Sequence, residues 1–329
     1  MRKIIIDCDI GNGIAGANVD DGLALALALV SPEIEVKAVT TVSGNVLNYK
    51  ACLVAKRFLQ ASGYDVPVYC GSFRALKEPT QKWRERLDHG VEKQGLKYLW
   101  QDEEEFLRTD ADIACNAVDK MAQIINENPH EVTLIAIGPL TNLALLLTKY
   151  PEVQDKIQEI VLMGGCFNVK NYLKDTNFGL DPEAAKIVLD SSVPCTMAPF
   201  DTTTTTLLRQ EDLEEMGTYT NALSEYLYKT TKPWLAYSMK TRGIDGCWIH
   251  DVLTVAYLID SSLFSFEEHF VNIELCGAFR GRTYIADLGY LKNADEIKPH
   301  SSRKINIMTA VSNEKLLRLM KERFKANGL

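Results

Sequence analysis

No apolar stretch in this sequence is long enough to cross a bilayer: the longest run, Leu23–Val30, falls far short of the roughly 20 residues a spanning helix needs. There is no Cys-x-x-Cys pair. The eight cysteines, Cys8, Cys52, Cys70, Cys115, Cys166, Cys195, Cys247 and Cys276, are scattered and mostly neighbour apolar residues. That spacing argues against a zinc cage or a disulfide frame and fits buried, reduced thiols. No long basic run occurs either, and 36 Lys and Arg face 44 Asp and Glu for a net charge of −8. An acidic chain repels phosphate backbones and anionic lipid, so neither nucleic acid nor a membrane surface is an expected partner. Met1-Arg2-Lys3 leads into only three isoleucines before Asp7, which makes no secretory signal, and a cytoplasmic location is expected. Linkers, repeats and low-complexity tracts are missing. What is present is a chain of 329 residues, 46% hydrophobic and 24% charged, ordinary for a globular protein. One domain over residues 1–329 is the expectation.

Through the first two thirds, β-branched apolar runs alternate with helical patterns. Lys3–Ile6, Glu35–Thr41, Val66–Tyr69, Val132–Ile137, Glu159–Met163 and Val193–Ala198 read as strands, near-continuously apolar as strands covered on both faces are. Helices are expected over Asp20–Leu29, Tyr49–Ala61, Ala111–Asn126, Leu140–Thr148, Pro182–Asp190 and Glu211–Lys229. This alternation predicts an α/β fold with a largely parallel, doubly wound sheet flanked by helices. Ser72–Arg108 and Thr230–Trp248 read as long loops or short helices over the active edge. The stretch Phe270–Ile307 carries short strand-like runs and Asn313–Lys325 a final helix, together a small C-terminal extension.

Ligands of a doubly wound sheet bind outside the carboxyl ends of its strands. The first strand delivers Asp7-Cys8-Asp9 to that edge, and the next helix opens with Asp20-Asp21. Acids are common in a first helical turn, which accounts for Asp20 and Asp21 but not for Asp7 and Asp9. Four converging carboxylates repel one another unless a cation or protons compensate. Oxygen-only ligands point to calcium or magnesium rather than zinc. Two other patterns overlap this loop. Gly11-x-Gly13-x-x-Gly16 matches a dinucleotide-binding fingerprint, but the second strand ends in Val39-Thr40-Thr41 with no ribose-binding acid. Asp7-x-Asp9 is similar to the paired aspartates of haloacid-dehalogenase phosphatases, whose later Gly-Asp-x-x-x-Asp arrangement is missing here.

Read together, Ile4–Asp21 and Thr40-Thr41-Val42-Ser43-Gly44-Asn45 resemble the nucleoside hydrolase family, the inosine-uridine-preferring nucleoside N-ribohydrolases. Asp88-His89-Gly90, Gly138-Pro139-Leu140-Thr141-Asn142, Met163-Gly164-Gly165, Asn177 with Asp181-Pro182-Glu183-Ala184-Ala185, and His250-Asp251 follow in the family's order. The resemblance implies a calcium-dependent enzyme that hydrolyses ribonucleosides to ribose and free base, assembled as a homo-dimer or homo-tetramer. By matching positions it implies calcium ligands at Asp9, Asp21, the Ile137 carbonyl and Asp251. Asp9 would also serve as general base for the attacking water, and His250 as acid for the leaving base. Asp20, Asn45, Asp175 and Asn177 would hold the ribose, Asn168 (or its rival Asn171) the 5′-hydroxyl, and His89 the base. Carboxylates and amide oxygens suit an oxocarbenium-like sugar, and a histidine of near-neutral pKa suits proton donation.

The sequence departs from the family pattern in three places. Ile10 replaces Pro and Asn12–Val19 replaces a single residue between Asp9 and the tandem aspartates, an excursion expected to bulge away and return. Gly90 is followed by the longer Val91–Gly95, and Asp175-Thr176-Asn177 stands for Glu-Phe-Asn. Other readings stay open: Asp251 as cap of an apolar helix, Asn45 as a turn residue, Asp201 as a brace, and Trp234, Tyr237 and Trp248 as stacking partners or ordinary packing. A non-catalytic sugar or nucleoside binder on the same fold is the main alternative function, a phosphatase the lesser one.

Overall fold

Three consecutive isoleucines show how this sequence builds its sheet. In β1 (Arg2–Cys8) Ile4, Ile5 and Ile6 are all fully buried. Side chains alternate along a strand, so Ile4 and Ile6 enter one hydrophobic core while Ile5 enters the other. A sheet with a core on each face is the doubly wound arrangement the apolar strands call for. The fold is that of a computed structural model, which describes residues 1–79, 81–101, 114–287 and 303–327.

After β1 come α1 (Asp20–Val30), β2 (Ile34–Thr41), α2 (Asn48–Ser62), β3 (Val68–Cys70) and α3 (Gln81–Lys93). Then follow α4 (Ala117–Glu127), β4 (Val132–Ala136), α5 (Thr141–Lys149), β5 (Ile157–Met163), α6 (Thr176–Leu180), α7 (Pro182–Asp190), β6 (Cys195–Ala198) and α8 (Phe200–Thr203). The last third holds β7 (Leu207–Leu208), α9 (Gln210–Met216), α10 (Ala222–Arg242), β8 (Cys247–Trp248) and α11 (Val252–Ile259). It closes with β9 (Phe264–His269), β10 (Val271–Ile273), β11 (Thr283–Ile285), β12 (Ile305–Val311) and α12 (Asn313–Ala326). The main sheet runs β3-β2-β1-β4-β5-β6-β12-β9, parallel except for the antiparallel edge strand β9. The chain winds one way from β1 to β3 and the other way from β4 to β6. The switch point therefore lies between β1 and β4, where a crevice opens at the strand ends. Among the described residues no helix is long and apolar enough to cross a membrane.

Helix α1 is apolar on every side, with Leu23 to Ala28 fully buried, as a helix enclosed by others must be. It packs against α11 and α12, which brings the starts of α1 and α11 together at the switch point.

Four expectations change. Glu211–Lys229 is not one helix: α9 ends at Met216, and α10 starts behind the Asn221 cap, whose side chain accepts from Ser224 N. Thr230–Trp248 is no loop over most of its length, because α10 continues through Pro233 to Arg242 and ends at Gly243 with φ of +65°. The helix expected over Ala111–Asn126 begins only at Ala117, its first three positions lying outside the described residues. The Asn12–Val19 excursion does not bulge away. Ile10, Ile14, Ala17 and Val19 are buried in the core beneath α1, with Gly13 and Gly16 at φ of +84° and +74° making the turns.

Candidate active site

At the switch point lies a cavity of about 230 Å³, lined by Asp9, Asp20, Asp21, Ile137, Asn177, His250 and Asp251 among others. Asp9 comes from the loop after β1, Asp20 and Asp21 from the first turn of α1, and Asp251 from the N-cap of α11. All four acids are buried. Carboxylate oxygens of Asp20, Asp21 and Asp251 lie within 4.8 Å of one another. Asp9 joins them through its own N–H, which donates to Asp21 Oδ1 at 3.0 Å, while its Oδ2 accepts from Asn45 N at 2.5 Å. Two helix starts stabilise negative charge here, yet not enough to keep four carboxylates ionised. Burial pushes Asp9 up to about 6, against the hydrogen bonds from Asn45 and Asp21. Asp20 is raised to about 7, first by burial and then by Asp9. Asp21 and Asp251 are held well above the usual carboxylate range by burial and by the neighbouring acids. The cluster is a site for protons or a hard cation.

Asp7, the fourth acid of the first loop, stands behind this cluster. Its Oδ1 accepts from Thr40 Oγ1 at 2.6 Å and Asn142 Nδ2 at 2.7 Å, so it braces the strand ends and does not line the cavity.

The inserted loop forms one wall. Gly16 and Asn18 line the cavity, and Asn18 takes both ends of the Asn45 amide: Asn18 N donates to Asn45 Oδ1 at 3.0 Å, and Asn45 Nδ2 donates to Asn18 O at 2.9 Å. Buried Arg84 on α3 then bonds Ala15 O at 2.7 Å and Asn45 O at 3.0 Å. Asn45 thus lines the cavity, but its side chain is engaged in holding the insertion.

On the opposite side Asp175 caps α6, accepting from Phe178 N at 3.0 Å and Gly165 N at 2.9 Å. Burial raises its pKa to about 6 against those bonds. Asn177 Nδ2 donates to the carbonyls of Ile137 and Met163, both at 3.0 Å. Asp201 does brace the site, since it accepts from the N–H groups of Phe167 and Asn168.

His250 stacks on Phe200 at 5.2 Å and sets Nδ1 2.8 Å from Thr203 Oγ1, which leaves Nε2 for the cavity. Its pKa departs from the near-neutral value expected: burial, then Arg242, lower it to about 3, and the ring is neutral at rest.

Two expected contacts are not brought to the cavity. His89 is exposed on α3, because helical spacing turns Trp83 and Leu87 (four residues apart) inward and His89 away. Asn168 is exposed, as is its rival Asn171 at φ of +68°, and Tyr172 supplies the cavity contact from that loop. Trp234 and Trp248 line the cavity, whereas Tyr237 stacks behind Trp234 at 5.6 Å. Sequence reasoning missed Trp83, Leu87, Tyr172 and Phe200 as lining residues and the role of Asn18. Arg242 lines the cavity as well. Its guanidinium sits 4.9 Å above Trp234 and 5.3 Å above Trp248. The Trp83–Leu87 spacing was the available signal; Tyr172 had none.

A larger surface groove of about 570 Å³ between α9 and α12 is lined by Asp212, Glu215 and Lys321, whose ammonium group pairs with both acids, and none of its lining residues lines the cavity.

Clustered acids and a buried imidazole at the switch point of a parallel sheet suit hydrolytic chemistry. The chain matches the inosine-uridine preferring nucleoside hydrolase family over residues 4–318 and belongs to it. Among its relatives, the pyrimidine-specific ribonucleoside hydrolase RihA of Salmonella arizonae is 34% identical over 331 residues, 99% of each chain. RihA of Escherichia coli O17:K52:H18 is 33% identical over 98% of each. The fold is similar to that of a plant nucleoside hydrolase, with a TM-score of 0.83, 28% identity and 99% of both chains covered. It is also similar to a purine-preferring ribonucleoside hydrolase from Gardnerella vaginalis, with a TM-score of 0.80, 26% identity and 99% of both chains. The protein is a nucleoside hydrolase, a glycosidase acting on N-glycosyl bonds of ribonucleosides. Family membership over nearly the whole chain removes the phosphatase reading.

Proposed function

We propose that this enzyme is calcium-dependent, that Asp9 is its general base and that His250 assists the departing base. The observation that carries the reading is the meeting of four buried carboxylates at the starts of two helices, with pKa values raised by burial and mutual repulsion. The donors are all oxygens, which suits a hard cation. Asp9, Asp21, Asp251 and the Ile137 carbonyl would hold it, with Asp20 close enough to join or to reach the ribose. The chemistry calcium supplies when bound is a positive centre that orients sugar hydroxyls and acidifies the attacking water.

The chain's own residues do the rest. Asp9, with a pKa near 6, is mostly ionised at neutral pH and takes the proton from water as it attacks the anomeric carbon. Asp20, Asp175 and the Asn177 amide oxygen receive the ribose hydroxyls and face the positive charge that grows on the sugar. The Asn45 side chain holds the wall beside them through Asn18. In the tautomer that carries its hydrogen on Nε2, His250 hydrogen-bonds the leaving base while Nδ1 stays paired with Thr203 Oγ1. Arg242, between Trp234 and Trp248, adds a fixed positive charge on that side of the cavity.

The test is reducing-sugar release from a panel of purine and pyrimidine ribonucleosides, with added calcium and with chelator. Cleavage that stops on chelation and returns with calcium supports the reading, whereas full activity in chelator overturns the cation. Asp9→Ala should abolish turnover while ribose binding persists. A loss no greater than that of a surface change such as Glu215→Ala would remove Asp9 as base.

A further inference from the structure

Three of the eight cysteines meet outside the cavity lining, on the sheet edge that β3 forms. Strand β3 ends at Cys70, which pairs with Thr41 of β2 on one side and with Cys115 in an isolated parallel bridge on the other. Paired residues of adjacent strands send their side chains to the same face. Their spacing of about 4.8 Å falls within the Cα separation that a disulfide spans, roughly 4.4–6.8 Å. Helix α2 packs against β3 and brings Cys52 to the same place. The Cys70 thiol interacts with those of both Cys52 and Cys115. Cys52 and Cys70 are buried, and Cys115 is exposed.

We propose that Cys70 and Cys115, backed by Cys52, form a peroxide-oxidisable thiol site whose disulfide joins the two ends of the segment that carries α3. This inference is independent of the calcium and residue roles proposed above. That segment supplies Trp83 and Leu87 to the cavity wall and Arg84 to the inserted loop, so a covalent tie across its ends acts on one side of the active site. The co-reactant is hydrogen peroxide. The Cys115 sulfur attacks one peroxide oxygen, the O–O bond breaks, and hydroxide leaves and takes a proton to become water. The Cys70 sulfur then attacks the Cys115 sulfur, the S–O bond breaks, and a second hydroxide leaves as water with the Cys70 proton. Two thiols lose two electrons, and one peroxide becomes two waters. Cys52 can attack Cys70 in turn, which moves the bond inward and releases Cys115 with no further oxidant.

Exposure and adjacency, not a lowered pKa, single out Cys115 and Cys70: burial raises the Cys115 thiol, and the Cys52 thiol together with burial raises Cys70. Burial raises Cys8, Cys195 and Cys247, which keeps them protonated. Cys52 is instead pushed down to about 7 by the Cys70 thiol, with help from Lys56 and against its burial. Cys276 is the other exposed cysteine and lies in a different segment.

The full chain would be exposed to hydrogen peroxide, alkylated, and analysed by intact mass and non-reducing peptide mapping. The expected result is a loss of about 2 Da, a linked peptide containing Cys70 with Cys115 or Cys52, and reversal by dithiothreitol. Cys115→Ser, an exposed and conservative change, should slow the disappearance of the Cys70 thiol by roughly tenfold or more, and Cys276→Ser should leave it unchanged. Proteolytic cuts between Cys70 and Cys115 should leave the halves joined after oxidation and separate before it. Oxidation of Cys115 to sulfinic acid with Cys70 still alkylatable, a link that omits Cys70, or equal rates in Cys115→Ser and the parent would each overturn the proposal.

Discussion

Gly44→Ala offers a direct test of Asp9, because the atoms nearest a Cβ there belong to the carboxylate proposed as general base and to one proline. Gly44 has no left-handed φ, so alanine fits its backbone. A Cβ there would nevertheless overlap Asp9 Oδ2 and lie 2.6 Å from Pro139 Cδ. Pro139 is rigid, so relief falls largely on Asp9, whose carboxylate must retreat by more than about 1 Å to reach ordinary contact, and an error of about 1 Å already costs about 10²-fold in rate. Overpacking adds a stability penalty of about 1–3 kcal/mol, which leaves most of the enzyme folded. Turnover of a cleaved nucleoside, measured with saturating calcium beside thermal unfolding, separates the two effects. The expected outcome is a kcat about 100-fold lower with KM within about threefold, in a protein that unfolds cooperatively. A folded Gly44→Ala enzyme with kcat within threefold of the parent would refute the placement of Asp9 at the reacting centre.

Three other outcomes follow from the geometry. In chelator, Asp20 has a folded pKa of about 7 against 3.8 unfolded, so the stability it contributes is fully present below 3.8 and is lost as pH rises through 7. Relative to Asp20→Asn, the parent should lose about 3 kcal/mol between pH 5 and 8, a drop of about 4 °C in Tm for a chain of this size; parallel Tm curves in a fluorimetric scan would contradict this. Arg84→Met leaves the carbonyls of Ala15 and Asn45 without their guanidinium partner, at a cost of about 3 kcal/mol. Its KM should rise more than its kcat falls, and unchanged steady-state kinetics with an unchanged Tm would show that the insertion needs no clamp. His250→Ala should hurt inosine far more than p-nitrophenyl riboside, whose leaving group needs no assistance; equal losses on the two substrates would remove His250 from that role.

The sheet was legible because strands covered on both faces leave little but Val, Ile, Leu and Ala in their buried stretches, as in Ile4–Ile6 of β1, Val132–Ala136 of β4 and Ile160–Met163 of β5. The acid cluster was legible for a related reason: Asp9, Asp20, Asp21 and Asp251 each adjoin an apolar strand or helix whose end must face the switch point. Helix α10 was obscured by Pro233 and by aromatic and basic residues set there by the cavity rather than by helical propensity. His89 went astray on helical phase, in a segment too polar to reveal which side of α3 turns inward. The pKa of His250 had no sequence signal, since burial beneath Phe200 and the field of Arg242 depend on residues far apart in the chain. The path of Asn12–Val19 depended likewise on distant partners, Asn45 and Arg84.

That path has a consequence for protein engineering. Asn12 Nδ2 donates to Thr230 Oγ1 of α10 at 3.0 Å, and a Cβ on Gly22 would strike the Asn12 amide. The octapeptide is therefore not a portable cassette. Transplanted alone into a homologue with a short loop, it would arrive without its docking points on three separate helices, and a working chimera would have to carry Gly22, Arg84 and Thr230 along with it.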